Sequence, residues 1–424
     1  MLSKDAITPP QSADVVIIGG GIIGISTALT LSRAGVKAVV LEKGQISAEQ
    51  SSRNWGWVRT LGREPAEIPI ALRASSLWAE LQSKIDVGYR RNGLLYLERT
   101  ERDHAGHQAW LSSVSDYGLN ARMLGSKEIR EMVPGAQRSW HAALYNSEDG
   151  VANPLVATKR IADLARDIGT GIFENCAARG LERSAGAVSA VITEAGTIKT
   201  STVLIAAGAW SRLFCGNEGI EFPQLKVRGS VLRTAPFDAG FAVGLNGVDF
   251  TCSKRPDGGY TISRLSSTLA DVVPDSFRLM GKFWKAWLNN RMFIRVHVGR
   301  RFFEEAAIPR RFSKTEETPF ERCRVLDPCP HSKMLGGAWK HVTEAIPVFQ
   351  KARVIQSWGG YMDVTPDAMP VISAVNQIPG LYLSSGFSGH GFGIGPAAGE
   401  ATAELILGNP TKVDLAAFSM ARFH

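Results

Sequence analysis

Four apolar residues in a row at 15–18 (VVII) lead directly into Gly19-Gly20-Gly21-Ile22-Ile23-Gly24. Residues 22–34 then carry apolar side chains at helical spacing and stop at Gly35, and a second unbroken apolar run at 38–41 (AVVL) ends in Glu42. Short apolar runs without polar alternation read as buried parallel strands, so the pattern predicts strand, tight turn, helix, strand. Helical spacing recurs at 69–83, 102–118, 126–132 (with Ser126 as N-cap), 155–169 and 277–291. Strands are predicted at 93–98, 171–173, 226–235 and 260–264, and a hairpin over 187–194 and 196–199 turns at Ala195-Gly196. Residues 150–154 (GVANP) read as a turn. A further buried strand lies within 202–211, where Ala207-Gly208 at its end has no bulk to keep a ligand away. Near the C-terminus a strand at 380–385 runs into five closely spaced glycines (386, 389, 391, 393, 395), and a helix over 397–407 follows with Pro396 at its first turn. Residues 1–13 read as a flexible tail, and 302–339 shows no usable pattern.

The first unit has the spacing of a dinucleotide site. Gly19 allows the tight turn, Gly21 lets a pyrophosphate approach the backbone, and Gly24 lets the helix pack on the strand. Ile22 and Ile23 open the helix, whose N-terminal N–H groups favour phosphate. Glu42 is placed to bond a ribose diol, and Lys43 follows it. These residues leave NAD and FAD both open. The glycines of 386–395 bring bare backbone against a second part of a flat or anionic ligand.

The 424 residues suffice for two domains and a large core, with 44% apolar and 21% charged residues. The longest apolar stretch, within 15–31, is broken by glycines, Ser26 and Thr27, so neither a membrane span nor a signal peptide is expected. Five scattered cysteines without a C-x-x-C pair suit reduced thiols in the cytoplasm and give no metal set. The net charge of +8 would suit an anionic substrate or nucleic acid, but no basic run reaches five residues, which favours an ordinary mixed surface.

In order along the chain, GGGIIG with Glu42, SSRNWG (51–56), GVANP, TVLIAAGAWS (202–211), WGGYMDVTPDAMPVI (358–372) and GLYLSSGFSGHGFGIGPAAGE (380–400) resemble the D-amino-acid-oxidase-like family of FAD enzymes. That family includes sarcosine, glycine and gamma-glutamylputrescine oxidases, and the resemblance covers nearly the whole chain. It implies FAD rather than NAD. The implied fold is α/β: a Rossmann-like FAD-binding domain with a discontinuous α+β substrate domain on a mostly antiparallel sheet. The FAD domain is expected from 14–95, 150–222 and 345–424, and the substrate domain from 96–149 and 223–344. By the same likeness Ser51, Ser52, Arg53, Asn54, Trp55 and Gly56 lie beside the flavin. Ala207, Gly208 and Trp210 border it, and Gly389, His390, Gly391 and Gly393 reach its pyrimidine end.

Departures from the family narrow the chemistry. Some relatives attach flavin covalently through a histidine near the position of Arg53 or a cysteine near Gly359-Gly360. Neither is present, so a non-covalent FAD is expected. The arginine that grips a substrate carboxylate in the glycine-oxidase branch is replaced by Tyr361-Met362, and the lysine of the sarcosine-oxidase branch by Gly393. Arg59 and Arg63 are the nearest substitutes, so Arg59, Arg63, Tyr361 and His390 are the candidate catalytic residues. The expected reaction is FAD-dependent oxidation of a C–N bond in an amine or amino acid, with secondary amines or N-substituted amino compounds favoured. Hydride goes to flavin N5, and the resulting imine hydrolyses. Oxygen, a quinone or another electron carrier is the acceptor, and a homo-oligomer or a dehydrogenase complex is the expected assembly. The alternatives are the flavin subunit of a multi-subunit amino-acid or opine-type dehydrogenase and a tRNA-modifying flavoprotein. No nucleic-acid partner is expected on the main reading.

Overall fold

The computed structural model describes residues 8–264, 268–290 and 294–423. A six-stranded sheet has the order Val371–Ala374, Leu381–Ser385, Val203–Ile205, Val15–Ile18, Ala38–Leu41, Gly171–Phe173. Its five last-named strands are parallel and Val371–Ala374 is antiparallel. The apolar runs read as buried strands are buried at every position. Side chains of Val15–Ile18 alternate between two cores. Val15 and Ile17 pack with the helices Ile22–Arg33 and Gly391–Ile406. Val16 and Ile18 pack with the three-stranded antiparallel sheet that contains the Ala187–Thr193 and Gly196–Lys199 hairpin.

Among the described residues the second sheet has ten strands, nearly all antiparallel, with parallel pairs only at Gly244–Asn246 with Leu94–Leu97 and Thr268–Asp271 with Ile294–His297. Its spine is Leu225–Thr234 against Val354–Val364, in register from Leu225 with Val364 to Arg233 with Gln356, then shifted by one residue at Thr234 with Val354. The chain is thus an α/β protein with a Rossmann-like domain and a second domain on a mostly antiparallel sheet. We propose the segment division given above, with Val354–Val364 carrying the second sheet into the third FAD segment.

Several expectations are corrected. The C-terminal helix starts at Gly391, six residues before the expected start, so Pro396 lies inside it rather than in its first turn. The glycine-rich segment is therefore partly helix; dense packing overrides its poor propensity. Ser126 is the first helical residue and Gly125 the cap; the Ser126 hydroxyl donates to the carbonyls of Trp140 and His141. The region without a readable pattern holds the helices Pro319–Arg322 and Ser332–Ala345. The helix expected over 277–291 is two, Pro274–Arg278 and Met280–Asn290, and Arg291 lies outside the described residues. Of the expected tail, residues 1–7 lie outside the described residues. Gln11 and Ala13 hydrogen-bond Lys199, so this part adds to a sheet edge.

Candidate active site

One cavity of about 1550 Å³ runs from the Gly19–Gly24 turn to the face of the second sheet. At its first end the glycines are required by contact. A Cβ on Gly19, whose φ is +116°, would stand 2.4 Å from the Ala206 carbonyl oxygen, and one on Gly24 would stand 2.1 Å from the Gly19 carbonyl oxygen. Gly21 faces the cavity, where a Cβ would meet only the Ser51 hydroxyl at 3.2 Å. Gly19, Ile22, Ile23 and Glu42 also line this end. The Glu42 carboxylate accepts from the Gly20 and Gly44 amides, both at 2.8 Å. Burial pushes its pKa up, and the two amides oppose that.

The segment after the second strand wraps the middle of the cavity. The Ser51 hydroxyl accepts from the Ile22 amide at 2.9 Å, which caps the first helix and uses one N–H expected to face phosphate. Asn54 braces the turn by accepting from the Gly56 amide at 2.8 Å. Arg53 donates to the Gly359 carbonyl at 3.1 Å and pairs with Asp327. Ser51, Arg53, Asn54 and Trp55 line the cavity, as do Ala207, Gly208 and Trp210. Gly24, Ser52 and Gly56 do not. The Ser52 hydroxyl turns back to the Glu49 carbonyl, and Gly56, with φ +81°, lies against the Ala152 carbonyl. Lys43 spends three donors on Glu49 and the carbonyls of Cys323 and Arg324, each at 2.8 Å, and lies over the Trp210 ring. It therefore shapes the wall and has no N–H left for a phosphate.

At the far end the turn after Trp57–Val58 carries Arg59 and Arg63, both on the cavity wall. Asp149 fixes that turn: it accepts from the Thr60 amide (2.8 Å), the Thr60 hydroxyl (2.9 Å) and the Leu61 amide (3.1 Å). Arg59 donates to the Leu61 carbonyl and sits over the Trp57 and Tyr96 rings. Arg63 is 3% exposed, and its Nε and Nη1 have no partner among the described residues. Burial, and next the charge of Arg59, lower its pKa to about 9, so it stays cationic at neutral pH. Tyr361 is buried beneath the Arg301 guanidinium, 4.9 Å from the ring centre. His390 lines the cavity and its Nδ1 lies 3.2 Å from Oε1 of Glu67, which is fully buried. Gly389, Gly391 and Gly393 complete this wall. A Cβ on Gly393 would stand 2.5 Å from the Trp57 carbonyl oxygen, so no longer side chain fits here without moving that strand. Asp363, 2% exposed, accepts from the Gly386 amide at 2.8 Å and so ties Val354–Val364 to the glycine segment.

Comparison with known proteins gives this cavity a name. The family described as FAD dependent oxidoreductase (DAO) matches residues 14–405. The chain belongs to that family. The chain is similar to L-amino acid deaminase from Proteus myxofaciens, solved in complex with anthranilate. The TM-score is 0.95 at 31% identity, over 98% of this chain and 95% of that one. It is 25% identical to sarcosine oxidase subunit beta of an Arthrobacter species, over 98% of this chain and 92% of that protein. It is also 25% identical to 4-methylaminobutanoate oxidase (formaldehyde-forming) of Paenarthrobacter nicotinovorans, and there spans 98% of this chain but only 46% of the relative.

The protein is thus an enzyme, an FAD-dependent oxidoreductase, and its cavity fits the cofactor. The bare backbone at Gly19 and Gly21, the Glu42 carboxylate and the unbroken path to His390 provide for an extended dinucleotide with a flat ring at the far end. Among the described residues no cluster of His, Cys, Asp and Glu could hold a metal ion. None of their helices is long and apolar enough to cross a membrane. Sequence reading missed Glu67 and Asp149. Glu67 has Glu64 three positions before it and Asp149 has Glu148 beside it, and no local pattern marks which acid matters. The one available signal is that Asp149 directly precedes the GVANP turn, whose Gly150-Val151 pairs with Trp57-Val58.

Proposed function

We propose that this enzyme oxidises a C–N bond of an amino compound that carries a carboxylate. Bound FAD supplies a hydride acceptor at N5. The chain's own residues bind and orient the substrate. Arg63 receives the carboxylate, and Arg59 adds positive field beside it. Trp55, Trp57 and Tyr361 wall the cavity and exclude water. The substrate carbon loses hydride, the nitrogen lone pair closes the C=N bond, and water hydrolyses the imine. Amide groups at the start of Gly391–Ile406, on the cavity wall, would stabilise negative charge on a reduced ring bound against them.

Arg63 carries this reading. A buried guanidinium with two unpartnered nitrogens on a cavity wall is costly unless an anion completes it. It supplies the carboxylate anchor missing at Tyr361-Met362 and Gly393, so primary as well as N-substituted amino acids qualify. The test is anaerobic: amines and D- and L-amino acids are added singly to the FAD-loaded protein, and bleaching is followed. Amino acids bleach the flavin and the matching decarboxylated amines do not. A panel in which nothing bleaches overturns the proposal.

A second assembly, the flavin subunit of a larger dehydrogenase, draws support from the sarcosine oxidase subunit relative. It is also supported by an apolar rim beside the cavity, where Phe277 is 62%, Met280 56% and Trp284 52% exposed. Bleached flavin that recovers with a quinone but not with air would favour it; rapid recovery in air makes the protein an oxidase. The same apolar rim gives no support to a tRNA substrate, which requires a continuous basic field. Cysteines 176, 215 and 252 are buried and unpaired, in keeping with a cytoplasmic location.

A further inference from the structure

Glu67 sits in an unusual place for an acid. It ends the turn Pro65–Glu67 and precedes the long helix Ile68–Lys84, yet its side chain caps no helix amide. It is fully buried, Oε2 has no partner among the described residues, and Oε1 faces Nδ1 of His390 at 3.2 Å. A carboxylate is not left buried at a helix N-terminus without a cation or a strong donor. The donor here is the imidazole on the cavity wall. With Nδ1–H given to Glu67, Nε2 is the ring's only free position, and it is an acceptor.

We infer that Glu67 is a positioning residue, which locks His390 in the Nδ1–H tautomer so that Nε2 takes a proton from the substrate's ammonium group. This inference rests on the proposed C–N oxidation and adds the step that must precede it, because an ammonium nitrogen has no lone pair to close a C=N bond. In that step the substrate N–H bond breaks, its electron pair stays on nitrogen, and a new N–H bond forms at Nε2. His390 becomes an imidazolium paired with the Glu67 carboxylate, and no external reactant is needed.

The charges facing His390 make the step depend on substrate. Burial, and next the field of Arg63, lower its pKa to about 4, while Glu67 raises it and Arg59 lowers it further. Glu67 remains ionised: burial pushes its pKa up, but the bond from His390 and the charges of Arg63 and Arg59 hold it below the usual value. With no anion on Arg63, His390 is therefore a poor base. A carboxylate seated on Arg63 cancels the strongest opposing charge and raises the proton affinity of Nε2 when the ammonium arrives. An amine without a carboxylate leaves that field in place.

The test uses FAD-loaded protein with nitrogen-15-labelled histidine and the α-methyl analogue of whichever amino acid bleaches the flavin. The analogue has no α-hydrogen, so it binds without reacting, and flavin absorbance reports its saturation. His390→Gln assigns the resonance. The expected result at neutral pH is a neutral Nδ1–H ring before the analogue and an imidazolium after it. In Glu67→Gln the ring stays neutral at saturation and kcat/KM falls about a hundredfold. Glu67→Asp, which keeps the charge, recovers part of both effects and serves if the amide variant does not fold. A ring that stays neutral in saturated wild type overturns the inference, as does Glu67→Gln behaving like wild type. If no amino acid bleaches the flavin, the functional proposal itself has failed, and the unmoved absorbance separates that outcome from the others.

Discussion

Asp149 holds Thr60 twice, accepting from its amide at 2.8 Å and from its hydroxyl at 2.9 Å. The turn that aims Arg59 and Arg63 is therefore set by an acid some 90 residues away. Asp149→Ala leaves the Thr60 and Leu61 amides unpaired and should lower unfolding free energy by about 3 kcal/mol. Urea melts measure that loss. Analogue affinity should weaken with it, whereas FAD affinity, set at the other end of the cavity, should hold.

Arg63 opposes stability and function to one another. Arg63→Met removes a buried, incompletely bonded charge, so the ligand-free protein should melt a few degrees higher. Affinity for a carboxylate such as benzoate should fall about a hundredfold or more, read from the flavin spectrum. In wild type that affinity is expected to be flat up to about pH 9 and to fall above it, as Arg63 loses its proton. An Arg63→Met variant that binds benzoate normally would remove Arg63 from the site.

Asp363 titrates in the opposite sense to a salt-bridged acid. Burial raises its pKa to about 6, so the native state holds this proton where the unfolded chain, near 3.9, has lost it. The contribution of Asp363 is therefore present at low pH and is lost as pH rises through about 6. Denaturant melts of wild type and Asp363→Asn from pH 5 to 7.5 isolate it. Relative to the variant, wild type should lose about 1.4 kcal/mol across that range.

Gly24→Ala places a carbon against the Gly19 carbonyl oxygen, with no flexible side chain able to yield. Such protein should emerge from purification colourless, or lose its flavin on gel filtration. Retention of FAD at wild-type stoichiometry would show that the turn is softer than its contacts imply.

No histidine stands at Arg53 and no cysteine at Gly359-Gly360, and Arg53 is engaged with Gly359 and Asp327. Acid precipitation should leave the yellow colour in the supernatant. Colour in the pellet would mean a covalent bond formed elsewhere.

The parts of this molecule that can be read along one dimension were those built from local chemistry. Gly19, Gly21, Gly24 and Glu42 are spaced by the turn itself, and Val203–Ile205 is apolar because both of its faces are covered. The C-terminal helix was misread at its start because glycine carries no helical preference; only the surfaces packed around Gly391–Ile406 make it a helix. Glu67 and Asp149 could not be found by spacing at all. The partner of Glu67 lies 323 positions away, and nothing near position 67 encodes His390. Arg63 stood out only through the family likeness; its burial, which gives it meaning, comes from tertiary packing.

Gly395 and Gly399 press the helix Gly391–Ile406 onto Ile22 and Ser26 of the first helix, where a Cβ would stand 2.5 and 2.4 Å from those side chains. The partners are separated by some 370 positions. During synthesis the glycine turn must wait roughly 20 to 70 s for its mate to be made. Through that interval the first strands expose a buried-type surface with nothing to close it. Cofactor capture should therefore come late in the life of the chain, and a chain ended before residue 391 should keep its nucleotide motif and fail to hold a flavin.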